Sequence, residues 1–308
     1  MKKAYIDTLT ALMRSHNDII TITADMGFSV YENLQKEFPT RFYNTGVTEQ
    51  ASIGFSTGLA LSGYTVFFYA QAAFATMRCF EQVRLDVGYN NLNVKIVGVN
   101  AGFSLNQLGV SHFTQEDIGL MRLIPGMTIL SPGDPYEMKW ALLQAYQIDG
   151  PVYIRFSKVG SKDIHKTGDK LKVGHPFLIS KGNQSALIVS GGMLELAYDA
   201  VKELEKKKIK INLYTMPTVK PIDKIAIRKI LALYKNIFVV EEHNIIGALG
   251  SAISEITSES ASKSIITRIG VPDIFTGVTG SIPYLLDLNG LSVNKINSKI
   301  LTTLTKRH

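Results

Sequence analysis

The sequence predicts an α/β protein of two domains, each with a mainly parallel sheet. Short apolar runs rich in β-branched residues alternate with amphipathic helical segments along most of the chain, which is typical of parallel strands covered by helices. A polar stretch near the middle interrupts this alternation, and the pattern restarts after it. A chain of 308 residues is long enough for two such domains.

In the first domain, strands and helices follow from apolar runs and their period. Small residues from Gln50 to Leu61 predict a closely packed helix. A longer helix is expected after Ala73, with one apolar side formed by Phe74, Met77, Phe80, Val83 and Val87. Strands are expected over 19–23, 65–69, 94–99, 127–130 and 152–156.

The stretch from Lys158 to Lys172 is rich in Gly, Ser, Lys and Asp, which indicates a linker or an exposed connection. We therefore place the domains at 1–158 and 177–308, joined by a linker over 159–176. In the second domain we expect strands over 186–189, 209–214 and 237–240, an amphipathic helix over 194–207, and a helix that starts near Gly247.

Composition restricts the classes of function. The single cysteine, Cys79, excludes a disulfide framework, and its apolar neighbours predict a buried thiol. No apolar run follows the basic N-terminal residues and none is long enough to cross a bilayer, so we expect a cytoplasmic protein without a membrane partner. The net charge is +7, but the basic residues are scattered, which favours an anionic small substrate or an acidic partner subunit over nucleic acid.

Several ligand signatures are absent from the sequence. It contains neither a GxGxxG following a strand nor a GxxxxGK[ST]. Its six histidines are dispersed, without the spacing that holds zinc, and no Gly-Asp-Gly appears. We therefore predict no metal site within this chain.

Three positions are candidates for chemistry. Glu49 begins the helix of small residues, where a carboxylate can also simply cap the helix. His112 lies in a loop that follows a strand, and ligands bind at the carboxyl ends of parallel strands. Lys158 follows the last strand of the first domain, where a surface lysine is equally expected.

Many short segments occur in the same order as in one enzyme family. In the first domain these are Ala24-Asp25-Met26, Phe38-Pro39-Thr40-Arg41-Phe42, Gly46-Val47-Thr48-Glu49-Gln50, Phe80-Glu81-Gln82-Val83-Arg84, Asn93-Val94-Lys95-Ile96-Val97, Glu116-Asp117-Ile118, Leu120-Met121-Arg122, Ser131-Pro132 and Gly150-Pro151-Val152-Tyr153-Ile154-Arg155; in the second, Val239-Val240-Glu241-Glu242-His243 with Gly247 and Gly250. On these residues the chain resembles the pyrimidine-binding and C-terminal domains of transketolases, especially of bacterial transketolases encoded as two chains.

The resemblance implies thiamine diphosphate as the cofactor. Glu49 matches the glutamate that hydrogen-bonds the aminopyrimidine and so promotes removal of the proton from the thiazolium C2. A carboxyl group that shares its proton needs apolar surroundings, which the small residues after Glu49 can supply. Phe74 matches an aromatic residue against the pyrimidine, although helix core is an equal alternative, and Asp25 matches an aspartate near the thiazolium.

The resemblance also implies substrate contacts, with two departures from the family pattern. Ser29 and Lys158 match phosphate-binding positions, the latter usually arginine; Lys2 is a weaker match of the same kind. His112 matches a histidine that contacts the donor hydroxyls. Around it the family shows Gly-Glu-Asp-Gly, whereas this chain has Asn106-Gln107-Leu108-Gly109, so both acidic residues are gone. The second departure is Tyr69-Ala70-Gln71 in place of Ser-Thr-Phe.

The family resemblance implies a split enzyme. A partner chain, the N-terminal half of a transketolase, would carry the diphosphate site and its Mg²⁺ or Ca²⁺, in an α₂β₂ assembly. The expected reaction is transfer of a two-carbon ketol unit between sugars or sugar phosphates, with a non-standard sugar because Leu108 cannot accept a hydroxyl hydrogen bond. The alternatives are a 1-deoxyxylulose-5-phosphate-synthase-like or 2-oxoacid dehydrogenase E1β-like subunit, or a non-catalytic scaffold.

Overall fold

The computed structural model describes residues 1–160 and 162–305. Ser161, which falls in the predicted linker, and 306–308, at the end of the predicted second domain, lie outside the described residues. The two predicted α/β units are confirmed: one sheet has seven strands and the other has five. Within the described ranges, no helix combines the length and apolar character that crossing a membrane requires.

The first sheet has the strand order β10-β5-β6-β4-β3-β1-β2. Neighbouring strands run parallel except for β10, which pairs antiparallel with β5. Its strands are β1 (Ile19–Thr23), β2 (Phe42–Asn44), β3 (Thr65–Gln71), β4 (Val94–Ala101), β5 (Thr128–Leu130), β6 (Val152–Ser157) and β10 (Thr218–Lys220), and its helices are α1 (Lys2–Ser15), α2 (Glu32–Glu37), α3 (Glu49–Leu61), α4 (Phe80–Gln82), α5 (Asp117–Arg122) and α6 (Pro135–Gln147).

The second sheet has the order β12-β11-β8-β9-β7, with β7 antiparallel at one edge. Its strands are β7 (Phe177–Ser180), β8 (Ser185–Val189), β9 (Ile211–Thr215), β11 (Asn236–Asn244) and β12 (Ile265–Val271), and the helices of this domain are α7 (Met193–Lys206), α8 (Lys224–Leu233), α9 (Leu249–Ser258), α10 (Ile282–Leu288) and α11 (Val293–Thr305).

The segment after β3 differs from the regular helix that the sequence predicts. Two π-helical turns, Phe74–Arg78 and Val83–Tyr89, flank the short α4. The wider turn changes the angular position of the side chains, so Val83 and Val87 are buried while Met77 is 38% exposed. The expected apolar side is therefore wrong at Met77. π-Helical turns are frequent at functional sites.

Strand β10 crosses from one half of the chain to the other. Its residues come from the sequence of the predicted second domain, yet Thr218 and Lys220 pair with β5 of the first sheet. The Lys220 ammonium also donates to the carbonyls of Arg122 and Ile124, at 2.9 and 2.6 Å. The two sheets are thus joined by more than the linker.

A buried charged network lies between the two domains. Arg155 on β6 donates to the Asp117 carboxylate, at 3.0 Å, and to the backbone carbonyl of Glu242 on β11, at 2.8 Å. The Glu242 carboxylate accepts from the Ser157 hydroxyl at 2.9 Å. Each charge has a partner, as buried charges require, so this network fixes the first domain against the second.

The described residues of the linker contain neither helix nor strand, but the linker is packed rather than freely exposed. His165 is 8% exposed and bonds the Glu137 and Asp169 carboxylates, both at 2.9 Å. Hydrogen bonding to these two carboxylates outweighs burial and raises the pKa of His165. The polar composition therefore reflects specific pairing as well as solvent exposure.

Candidate active site

The candidate residues gather at the carboxyl ends of β1, β2, β3 and β4, the edge where parallel sheets bind ligands. Asp25 follows β1, Glu49 begins α3 after β2, Phe74 follows β3, and His112 lies in the loop after β4. Because all four strands run parallel, their loops leave the sheet at the same edge. The fold thus collects residues that are far apart in sequence.

Glu49 is the first residue of α3 and is 4% exposed. The Arg78 guanidinium donates to its Oε2 at 2.7 Å. Its Oε1 accepts no hydrogen bond within the described ranges, and neither oxygen caps the helix. The simple capping alternative is therefore not what this carboxylate does, and one of its oxygens is left for a ligand.

Arg78 links the carboxylate to two rings. Its guanidinium carbon lies 4.3 Å from the centre of the Phe74 ring, a cation–π distance. The Phe74 ring in turn meets the His112 ring edge to face, with centroids 5.2 Å apart. Phe74 is only partly buried, so its other surface is open to a ligand. The four side chains form a continuous row from the start of α3 to the loop after β4.

The turn after β1 is joined to the segment that leads to Glu49. The Asn44 Oδ1 accepts from the backbone N–H of Asp25 and from that of Gly46, both at 3.0 Å. Asp25 and Ser29 both have positive φ angles, 48° and 59°, which are uncommon for non-glycine residues. Both are exposed at this edge.

A pocket of about 360 Å³ opens beside this edge. Lys158 and Lys2 both line it, together with Asn100 and residues 26–28 of the turn after β1. The family resemblance implies that Lys158 and Ser29 bind a substrate phosphate. Lys158 lines the pocket, whereas Ser29 is not one of its described lining residues. Two ammonium groups suit an anionic ligand.

The loop after β4 carries His112, Gln107 and Leu108. Gln107 is exposed and Leu108 is 53% exposed, so in this chain alone neither is covered. Beneath the loop, Gln71 is 2% exposed; it donates to the His112 carbonyl at 3.3 Å and accepts from the Asn100 side chain at 3.2 Å. Gln71, one of the three residues that differ from the family's Ser-Thr-Phe, thus supports this loop from below.

Comparison with known families identifies both domains. Residues 1–160 match the transketolase pyrimidine-binding domain, and residues 177–296 match the transketolase C-terminal domain. The chain belongs to the transketolase family. Membership implies dependence on thiamine diphosphate, and the residues fit that cofactor: a buried carboxylate with one oxygen unpartnered lies beside a partly open aromatic ring.

Relatives within the transketolase family include separately encoded subunits. An apulose-4-phosphate transketolase subunit from Phocaeicola vulgatus is 35% identical over 274 residues, 88% of this chain and 87% of that one. A 6-deoxy-6-sulfo-D-fructose transketolase subunit from a Clostridium species is 33% identical over 297 residues, 96% and 92% of the two chains. A longer 1-deoxy-D-xylulose-5-phosphate synthase from Chlorobium phaeovibrioides is 32% identical over 293 residues, 94% of this chain and 46% of the synthase.

A solved transketolase structure has the same fold over almost the whole chain. It is described as a split gene transketolase, an inactive β4 tetramer, and it superimposes with a TM-score of 0.89 at 31% identity. The match covers 99% of this chain and 98% of that one. The domain arrangement of this chain is therefore that of a separately encoded transketolase subunit.

Sequence reasoning missed Arg78. Its contact with Glu49 spans 29 positions and could not be read from local spacing. The spacing of four between Phe74 and Arg78 was a usable signal, because it places a cation near a ring on a helix. Cys79, directly after it, was predicted as buried, and this is confirmed. Burial raises the pKa of its thiol to about 12.

One group of metal-ligand types does come together. Asp134, Glu137 and His165 offer atoms within 4.8 Å of one another, the only such group of three that we find in residues 1–160 and 162–305. Each carboxylate is already engaged: Asp134 caps α6, and Glu137 accepts from Gly133 N–H, the Thr215 hydroxyl and His165. The group therefore serves to hold the linker against the two domains.

Proposed function

We propose that this chain is one subunit of a split, thiamine-diphosphate-dependent transketolase that transfers a two-carbon ketol unit between sugars. The observation that carries the proposal is the buried carboxylate of Glu49, held on one side by Arg78 and left unpartnered on the other. Burying a carboxylate costs free energy unless its oxygens are hydrogen-bonded, and within the described residues only one oxygen of Glu49 is. This argues against a purely scaffolding subunit.

The chain's own residues would divide the work as follows. Glu49 would hydrogen-bond a ring nitrogen of the pyrimidine through its Oε1, while Arg78 fixes the position of the carboxyl group. Phe74 would pack against the pyrimidine ring, and Asp25 would lie near the thiazolium. When bound, thiamine diphosphate supplies the nucleophilic carbon and the electron sink for carbon–carbon bond cleavage.

The substrate would meet the same edge from the pocket side. We propose that His112 contacts the hydroxyls of the donor sugar and that Lys158, with Ser29 and Lys2 near it, binds an anionic end group. Lysine gives a point charge rather than the two-pronged contact of arginine, so it is less selective for phosphate geometry. The substrates in the names of the two related subunits, apulose 4-phosphate and 6-deoxy-6-sulfo-D-fructose, both carry an anionic group.

We further propose that a partner chain carries the diphosphate and Mg²⁺ or Ca²⁺ site, in an α₂β₂ assembly. The sequence has no Gly-Asp-Gly, and the group of Asp134, Glu137 and His165 is engaged in packing. The related β4 tetramer is described as inactive, which supports the need for a second kind of chain.

Calorimetry tests the split directly. The isolated chain should bind thiamine diphosphate weakly or not at all with Mg²⁺ present, because nothing neutralises the diphosphate. Co-purification of the native protein should bring down a chain with Gly-Asp-Gly, and the pair should bind the cofactor tightly. Tight Mg²⁺-dependent binding by this chain alone would contradict the proposal.

Product analysis separates the enzymatic alternatives. The assembled pair should transfer a ketol unit from a ketose to an aldose. Condensation of pyruvate with an aldehyde, with loss of CO₂, would instead indicate a 1-deoxyxylulose-5-phosphate-synthase-like subunit. Acyl transfer from a 2-oxoacid to a lipoyl carrier would indicate an E1β-like subunit.

A further inference from the structure

The loop that carries His112 is attached to the second domain at two places. We define the His112 loop as residues 102–114. At its base, the Gly102 and Thr114 backbones exchange hydrogen bonds of 2.9 and 3.0 Å, so the loop is closed by a two-residue bridge. Within it, three residues form a single 3-10 turn, Gly109–Ser111. The other hydrogen bonds within the loop span no more than four residues, so contacts from outside the loop contribute to its position.

The first attachment is the buried carboxylate of Glu242 on β11. Its Oε1 accepts from the Phe103 backbone N–H at 2.9 Å, and its Oε2 accepts from the Ser157 hydroxyl at 2.9 Å. A Cβ at Gly102 would collide with this carboxyl group, so glycine is required for the close approach. The base of the loop is therefore fixed on the second domain.

The second attachment is near the tip. The Asn106 side-chain amide donates to the Gly280 carbonyl at 2.5 Å, and the Gly280 N–H donates back to the Asn106 carbonyl at 3.3 Å. The segment before Gly280 is itself anchored, because the buried Thr276 hydroxyl donates to Asn289 at 3.0 Å. The loop tip is thus tied to a segment that is itself hydrogen-bonded to the residue after α10.

We propose that Asn106 is a positioning residue, through which the second domain sets the place of His112 and its neighbours Gln107 and Leu108. This inference rests on the proposed function, in which the His112 loop forms the substrate wall. Glycine stands at this position in the family pattern Gly-Glu-Asp-Gly, and glycine has no side chain to make the bond. The contact is therefore a feature of this chain's altered wall.

The experiment compares three variants. Asn106→Ala removes the side-chain donor, and Asn106→Gln keeps an amide on a longer side chain. Glu255→Gln is the matched control, because Glu255 makes another cross-domain contact, to Arg122 at 2.6 Å, outside the His112 loop. The chain must show an unchanged Tm in each case before the comparison is made.

Hydrogen–deuterium exchange of residues 103–113 in the isolated chain gives the first measurement, which needs no activity. Loss of one hydrogen bond is expected to speed loop exchange about three- to tenfold in Asn106→Ala. Asn106→Gln should restore most of the protection, and Glu255→Gln should leave it unchanged. Unaltered exchange in Asn106→Ala, or an equal increase in Glu255→Gln, would overturn the inference.

Kinetics of the assembled enzyme give the second measurement. In Asn106→Ala the KM for the ketose donor should rise by about three- to tenfold, with unchanged affinity for thiamine diphosphate, because the displaced wall faces the sugar. Faster exchange without a change in KM would overturn the positioning role and leave the family function standing. A wild-type assembly without ketol transfer would instead refute the proposed function itself.

Discussion

Glu49 and Glu241 are both buried carboxylates beside the first turn of a helix, one in each domain, and they are used differently. Glu241 is 2% exposed and accepts from the backbone N–H groups of Leu249 and Gly250, at 2.8 and 2.9 Å, where α9 begins. Glu49 is 4% exposed and accepts from Arg78 alone. The two residues are of the same type and similarly buried, and each lies beside a helix N-terminus, Glu49 within α3 and Glu241 on β11.

The difference lies in which hydrogen bonds are already made. Both oxygens of Glu241 accept from helix N–H groups that would otherwise lack partners, so this carboxyl group has a structural role. Glu49 leaves its helix uncapped and keeps one oxygen free. This oxygen is not fully enclosed, so a ligand can reach it although the residue as a whole is only 4% exposed. Burial alone would not have separated the structural carboxylate from the functional one.

The largest expected effect comes from exchanging each carboxylate for an amide. Glu49→Gln in the assembled enzyme should lower turnover by about 10²- to 10⁴-fold, the usual contribution of a proton-transfer group, with little change in the Tm. Glu241→Gln should do the reverse: near-normal turnover per folded complex and a loss of about 1–3 kcal/mol in the free energy of unfolding.

Deuterium exchange at C2 of the bound thiazolium is the deciding measurement for Glu49. It isolates the proton-transfer step from sugar binding and from product release. If the exchange rate in Glu49→Gln equalled that of the wild type, the assignment of Glu49 would be wrong. If Glu241→Gln slowed it as strongly, the contrast between the two carboxylates would fail.

A second prediction concerns selectivity at the open edge of the first domain. Leu108 matches a position where the family has a carboxylate, and a substrate hydroxyl buried there without a partner costs about 1–3 kcal/mol. We expect poor activity on xylulose 5-phosphate plus ribose 5-phosphate compared with a panel of deoxy, modified and nucleotide-linked sugars. Leu108→Asp should improve the ordinary pair about ten- to a hundredfold. Ordinary transketolase efficiency in the wild type would refute the altered-substrate proposal but not the family.

The buried carboxyl group of Glu241 in the second domain predicts that stability depends on pH. Burial raises the pKa of Glu241 to about 7, against an ordinary value of 4.5. Between pH 4.5 and about pH 7, Glu241 is therefore protonated in the folded state and ionised in the unfolded state. This contribution to stability is complete below about pH 4.5 and is lost as the pH rises through 7.

Urea unfolding at pH 5 and pH 8 measures this contribution. The stability of the wild type relative to Glu241→Gln should fall by about 1–3 kcal/mol between the two pH values. His243 acts in the opposite sense, because burial lowers its pKa to about 4, but it is present in both proteins and cancels in the comparison. A constant difference would show that Glu241 is ionised throughout.

The smallest expected effect is at Arg78. Arg78→Lys keeps the charge beside Glu49 but loses the flat contact with the Phe74 ring, a cation–π interaction of about 0.5–1 kcal/mol at exposed sites. Turnover should fall about two- to fivefold, with affinity for thiamine diphosphate lowered to a similar extent. Arg268→Lys, at an exposed arginine of the second domain, should leave both quantities unchanged.

The sequence predicted most strands of both sheets because their signal is local. Ile19–Thr23 and Val94–Ala101 are rich in β-branched and apolar residues, and their residues are nearly all buried, as strands covered on two faces require. β10 carries no such signal: Thr218–Lys220 is three residues long and gains its place only by pairing with β5. Short edge strands and π-helical turns depend on tertiary contacts that a local pattern does not contain.

The site was predicted in its parts but not in its connections. Glu49, Phe74 and His112 were found as family matches, and the parallel strands explain why they share an edge. Arg78 and the Asn106–Gly280 contact join residues 29 and 174 positions apart, and no pattern within a window reveals such pairs. Nor did the sequence indicate which site residues are exposed in this chain, such as Leu108.

Strand β10 has a consequence for how this chain can be divided. Without it, β5 would present unpaired backbone groups along its outer side, and such edges invite aggregation. A fragment that ended at the linker would lose β10, although the linker is the cut that the polar composition suggests. The same pairing affects recombination between genes. A crossover at the linker would transfer the first sheet without its edge strand β10, so we expect the two domains to be exchanged together.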